Sequence, residues 1–202
     1  MTRKVDLKDR IRMLVSQIDI LTKEEIELIV DKTIVDTFKK GTILLREGEV
    51  RNRCFMVVQG CVREYILVDG EEKSVAFYTE GEKFTPYTQE GYTTPSKYFW
   101  ECTEDCILTI SDKDFEQELR MLLPRLDTIF QHMAIQKMDE EKEKWSRFIS
   151  SSPEERYVDL LENRPGLLNR VPHHQIASYL GMKPESLSRI RKRIFEKRKQ
   201  VK

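Results

Sequence analysis

The sequence predicts an α+β chain in which an N-terminal antiparallel β-roll with flanking helices is joined by one long helix to a C-terminal helix-turn-helix. Three observations predict it. Between residues 38 and 84, short apolar runs with strand-forming residues are bounded by glycines and polar clusters. Residues 111–150 form a long helical tract with one internal proline. In "VPHHQIASYLGMKPESLSRIRKRI", residues 171–194, a glycine separates two short amphipathic runs.

The first helical signal covers residues 7–37. Leu7, Ile11, Leu14, Val15 and Ile18 recur at helical spacing, and Thr22 with Glu25 fits a capping box that restarts a helix. From Phe38 the period changes, and strands are expected at 42–45, 54–59, 62–68 and 74–78. Asp69-Gly70 suits a tight hairpin turn, because both residues reach positive φ. Pro86, Gly91 and Pro95 break the rhythm, so 84–99 reads as a loop or short helix inserted into the roll. Strand character resumes in "FWECTEDCILTIS", residues 99–111.

Pro124 is expected to start a long helix rather than kink one, since a first helical turn tolerates proline. Leu122, Leu126, Ile129 and Met133 follow a 4-3-4 spacing, suited to a partner helix or to packing on the chain's own domain. The seam lapses at Gln136 and Glu140. Ser152-Pro153-Glu154-Glu155 is a helix entry that opens the terminal helical unit.

There, Ile176, Ala177 and Leu180 form the buried side of one helix, and Gly181 can take the left-handed turn that ends it. A second helix begins near Pro184 and buries Leu187, Ile190 and Ile194. Glu185, Arg189 and Lys192 then share an exposed stripe, flanked by Ser186 and Ser188. Arginine pairs with guanine O6 and N7, a carboxylate accepts from cytosine N4, and hydroxyls serve several base edges. Arg191, Arg193 and the basic residues at 197–199 add phosphate attraction. A solvated basic face is the plainer alternative.

Charge is distributed to match. The chain has 202 residues, with 35 basic and 35 acidic, for a net charge of zero. Residues 183–202 nevertheless carry nine basic against two acidic residues, leaving +7 there and −7 in the remainder. No apolar run approaches membrane-span length, so a cytoplasmic protein without membrane contact is expected. Its four cysteines, Cys54, Cys61, Cys102 and Cys106, are then expected as free thiols.

Several stretches carry a family resemblance. "KKGTILLREGE" and "CFMVVQGCVREY" look like the opening strands of a cyclic-nucleotide-binding roll, "TEGEKF" like its following turn, and "QIASYLGMKPESLSRI" is similar to a helix-turn-helix. From about residue 20 to 195 the chain resembles the catabolite-activator and fumarate–nitrate-reduction (CRP/FNR) class of bacterial transcription regulators. The resemblance implies an effector-sensing roll at 1–121, a dimerisation helix at 122–149 and a DNA-binding unit at 150–202. It also implies a homodimer on a two-fold symmetric double-stranded site, with RNA polymerase a further partner. By position, Glu185, Ser186 and Arg189 would face bases, and His173 and His174 would touch phosphate. Lys183 and Pro184 would open the recognition helix, Pro184 replacing a frequent arginine. The family's C-terminal wing reads as truncated at "FEKRKQVK", with the basic tail in its place.

The phosphate-holding cassette of the family's nucleotide-binding members would fall at 84–101, which contains no arginine. Its single cation, Lys97, offers a point charge where a planar fork is needed. Cyclic AMP is therefore not the expected effector. An unidentified ligand would meet Tyr87, Lys97, Tyr98 and Trp100, although each ring singly suits a core or rim. Cysteine spacing gives no metal site, and no hydrolase, P-loop or metalloprotease pattern occurs, so neither enzyme nor cofactor is expected. The competing reading is a small-molecule or protein-interaction module whose basic helix does not read DNA.

Overall fold

Eight strands form two four-stranded antiparallel sheets, and eight helices surround them in the computed structural model, which describes residues 6–50, 53–84 and 94–200. Helices α1 (Leu7–Val15) and α2 (Lys23–Lys32) come first. They are followed by β1 (Ile34–Phe38), β2 (Ile43–Leu45), β3 (Arg53–Gln59), β4 (Val62–Val68), β5 (Glu71–Tyr78), β6 (Lys83–Phe84), β7 (Phe99–Cys102) and β8 (Cys106–Asp112). The rest is helical: α3 (Lys113–Leu122), α4 (Leu126–Ser150), α5 (Pro153–Asn163), α6 (Leu167–Arg170), α7 (His173–Tyr179) and α8 (Pro184–Gln200).

One sheet has the order β1-β8-β3-β6 and the other β2-β7-β4-β5. Between them lie Leu45, Phe55, Val57, Val62, Phe84, Trp100, Cys102, Cys106 and Leu108. Helices α1 and α2 cover the other face of the first sheet, packing Ile11, Val15 and Val30 against Val58. Being covered on both sides explains why β3 is an uninterrupted apolar run rather than an alternating one. The β4–β5 turn is the expected Asp-Gly pair, with φ of 53° at Asp69 and 78° at Gly70.

One expectation needs correction and two gain detail. Residues 34–38 are strand, not helix: the Thr22–Glu25 capping box opens α2 as expected, but the helix ends at Lys32, and β-branched Ile34, Val35 and Thr37 pair along β8. The strand run at 99–111 is two strands in different sheets, β7 and β8, joined by a turn at 103–105. Pro124 stands in the break after α3, just ahead of α4, so the long helix opens after the proline and is not kinked by it.

That break also redistributes the proposed seam. Leu122 is the last residue of α3 and is exposed. Leu126 and Ile129, 0% and 6% exposed, pack with Leu119 inside the chain, with Ile18, Leu21, Ile29 and Met133 around them. The first turns of α4 are thus anchored to the chain's own α2 and α3. The outward face is a different stripe: Ile135, Met138, Trp145 and Ile149 are 60–66% exposed. With Lys142 between Met138 and Trp145, their spacing is 3-4-3-4.

Replacing Leu126 by Ala should therefore cost about 2–5 kcal/mol of folding stability through the cavity left behind. Urea unfolding of the purified protein checks this. An unchanged midpoint would mean that Leu126 is not a core residue.

Candidate nucleic-acid interface and its seat on the roll

Helix α7 ends in a Schellman motif. The Gly181 N–H donates to the Ser178 carbonyl at 3.0 Å and the Met182 N–H to the Ala177 carbonyl at 2.9 Å. Gly181 sits at φ +67°, and a Cβ there would meet the Arg156 guanidinium at 3.0 Å and the Phe148 ring at 3.1 Å. Glycine is thus required both by backbone conformation and by the closeness of α4 and α5. The turn leads directly into α8, whose buried side is Leu187, Ile190 and Ile194, packed with Ile176, Ala177 and Leu180 of the preceding helix.

This packing leaves Lys183, Glu185, Ser186, Ser188, Arg189, Lys192 and Arg193 exposed, together with His173 and His174 at the start of α7. Among the described residues, no ion pair within the chain holds Arg189, Lys192 or Glu185. Other members of the set are engaged. Ser188 donates to the Pro184 carbonyl at 3.1 Å, Arg193 is paired with Glu154 of α5, and Lys197 reaches the same carboxylate at 3.3 Å. Arg191 lies 3.0 Å from His173 Nδ1; burial and the guanidinium charge both hold the imidazole below its ordinary pKa.

The helix-turn-helix does not stand free of the roll. Ser178 of α7 accepts from the Ser74 N–H at 3.0 Å and donates to the Glu72 carbonyl at 3.3 Å, both on β5. Phe77 packs edge-on against Tyr179, with ring centroids 5.4 Å apart, and shares a core with Tyr157, Leu160 and Ile176. Two arginines clamp the perimeter. Arg164 donates to Glu82 at 2.6 Å and to the Phe77 carbonyl at 3.0 Å. Arg170 forks onto both oxygens of Glu80 at 2.9 Å and reaches Glu104 as well. None of these partnerships was visible in sequence, where the paired residues stand 66 to 106 positions apart.

The candidate effector residues scatter. Trp100 is a core ring of the roll, edge-on to Phe55 and Phe84, and its indole N–H donates to Glu64 at 2.6 Å. Lys97 is exposed, Tyr98 is half-buried and Tyr87 lies outside the described residues. The four cysteines are free and buried, and burial pushes the Cys61 thiol up to about 11. Among the described residues, no His, Cys, Asp or Glu cluster could hold a metal ion, and no helix is long and apolar enough to cross a membrane.

A two-sheet roll, a long helix with an outward apolar stripe and a terminal helix-turn-helix make up a two-part architecture. Residues 35–121 match the cyclic nucleotide-binding domain family. Among the chain's relatives is the nitrogen fixation regulation protein FixK of Rhizobium meliloti (strain 1021), 27% identical over 175 residues that cover 81% of this chain and 76% of the relative. FixK2 from Bradyrhizobium japonicum has the same fold, with a TM-score of 0.68 at 20% identity over 82% of this chain and 85% of that one. The catabolite activator protein of Thermus thermophilus aligns with a TM-score of 0.53 at 19% identity, covering 88% and 85% of the two chains.

The seat on the roll should be acid-sensitive. Burial raises the Glu80 carboxyl, but the Arg170 fork and the Gly60 N–H outweigh it and hold Glu80 below its ordinary value of 4.5. The pair's contribution is therefore present above 4.5 and is lost as pH falls through the depressed folded value. Small-angle scattering should show the C-terminal helices separating from the roll below about pH 4.5, and Glu80→Gln should shift that opening towards neutrality. A Glu80→Gln profile identical to wild type would remove this pair from the seat.

Proposed function

We propose that the protein is a homodimeric, sequence-specific DNA-binding transcription regulator whose N-terminal roll responds to an effector other than cyclic AMP. The observation that carries this is the exposed stripe of Glu185, Ser186, Arg189 and Lys192 on α8, held outward by the Schellman turn at Gly181. A helix presented in this way can enter a major groove, where its first turns meet base edges. His173 and His174, exposed at the start of α7, would be the phosphate contacts, and Lys183 lies in the turn between the helices. Arg193 and Lys197 are shared with Glu154, so they would contribute charge to the field rather than base contacts.

A two-fold symmetric site needs two copies of α8. The stripe Ile135, Met138, Trp145 and Ile149 supports a second copy of the chain packed along α4, because four large apolar side chains on one helix face favour burial. Residues 122–149 thus keep the dimerising role implied by the family, carried by this stripe rather than by Leu126 and Ile129. Against cyclic AMP stands the absence of arginine from 84–101 and the engagement of Trp100 in the core. The effector is left unnamed. RNA polymerase is proposed as a further partner on the strength of the family resemblance.

Arg189→Ala should cost roughly 1–3 kcal/mol of affinity for a preferred duplex and relax preference at one base pair per half-site. Fluorescence anisotropy against a set of single-base variants reads both effects. If affinity falls equally on every duplex, Arg189 is a phosphate contact and the base-reading face is elsewhere. Binding without salt dependence would favour a protein-interaction module instead.

A further inference from the structure

Arg63, the second residue of β4, is only 1% exposed, and a buried guanidinium is retained only when its donors are matched. Its Nε donates to Ser74 Oγ at 2.9 Å and its Nη1 to Glu72 Oε2 at 2.5 Å, with Glu101 of β7 at 3.8 Å. The guanidinium lies 4.5 Å from the Tyr65 ring centroid, and Tyr65 stacks on Phe99 of β7.

Glu72 and Ser74 are also the residues that seat α7. β5 is an edge strand, and its register shifts where Tyr65 faces Ser74, leaving Val75 as the extra residue. An edge at such a shift presents main-chain groups without a strand partner. Ser178 supplies that partner, accepting from the Ser74 N–H and donating to the Glu72 carbonyl. The side chains gripped by Arg63 and the main chains capped by Ser178 thus belong to the same two residues.

We propose that Arg63 is a positioning residue for the helix-turn-helix: by fixing Glu72 and Ser74 from inside the sheet, it sets where α7, and with it α8, sits on the roll. As a route to DNA recognition this rests on the reading above; as a statement about docking it does not. The grip is bounded on its other side by Phe99 and Glu101, so displacement of β7 has a direct route to α7 through one guanidinium. Lysine cannot replace it, because one ammonium does not span the Ser74 hydroxyl and the Glu72 carboxylate in a planar fork.

Amide hydrogen exchange on the full chain tests this, with peptides over 71–76 and 173–180 as the readout and β3 as the control for an intact roll. Arg63→Gln and Ser178→Ala should each raise exchange at 173–180 roughly tenfold, the change expected for loss of about one hydrogen bond. The double variant should exchange no faster than the faster single one, and Arg63→Lys should not restore protection. Unchanged exchange at 173–180 in Arg63→Gln, or effects of the two substitutions that multiply, would overturn the proposal. If Arg63→Gln loses protection in β3, the decision passes to Glu72→Gln, which removes the carboxylate at the exposed end of the grip. Faster exchange at 173–180 then supports the proposal, and unchanged exchange refutes it. Duplex binding is measured separately, so a wild-type protein that binds no DNA would sink the functional reading while the exchange data still decide the role of Arg63.

Discussion

The placement of the C-terminal helices depends on one open sheet edge. β5 ends its sheet, carries a register shift, and would leave main-chain groups unpartnered if nothing covered it. Helix α7 covers it with a serine hydroxyl and an aromatic contact. Once α7 is fixed there, Gly181 fixes the exit direction, and α8 leaves Glu185, Arg189 and Lys192 exposed. The arginine clamps from Arg164 and Arg170 hold the perimeter of the same seat. The roll keeps a buried cluster of its own between its sheets, whereas the terminal helices bury theirs together with Cys61 and Phe77 of the roll, so the seat is part of their core.

Charge follows the same division. The chain is neutral in total, yet its basic residues gather beyond 183 while Glu80, Glu82 and Glu104 line the roll's side of the seat. Those carboxylates meet Arg164 and Arg170 and leave the α8 stripe unneutralised. A polyanion approaching the molecule therefore meets positive charge on the exposed face of α8. Glu154 tempers this by holding Arg193 and Lys197, which narrows the unpaired cations towards the first turns of α8.

The sequence made legible whatever depends on local spacing. The capping boxes at Thr22 and Ser152, the Asp69-Gly70 hairpin, the Gly181 turn and the buried faces of α7 and α8 all rest on residues within a few positions of one another. The misses are tertiary. Ile34 to Phe38 follow an amphipathic helix closely, and only pairing with β8 makes them a strand. Leu126 and Ile129 carry a coiled-coil spacing, but the break at Pro124 turns them into the chain, while the same 3-4 rhythm continues outward from Ile135 to Ile149. Trp100 was a plausible pocket ring until β7 put it between the sheets. Arg63 had no local signature, since its partners come from two other strands.

The central claim is that two copies of α8 read a symmetric duplex. Selection of bound sequences from a random double-stranded library, at near-physiological salt and with purified full-length protein, tests it most directly. The account predicts an enriched motif with two-fold symmetry and half-sites spaced by about one helical turn, roughly 10 base pairs centre to centre. Enrichment of an asymmetric motif would contradict the dimer. Failure to enrich any sequence, with candidate effectors absent and then supplied, would contradict DNA recognition itself.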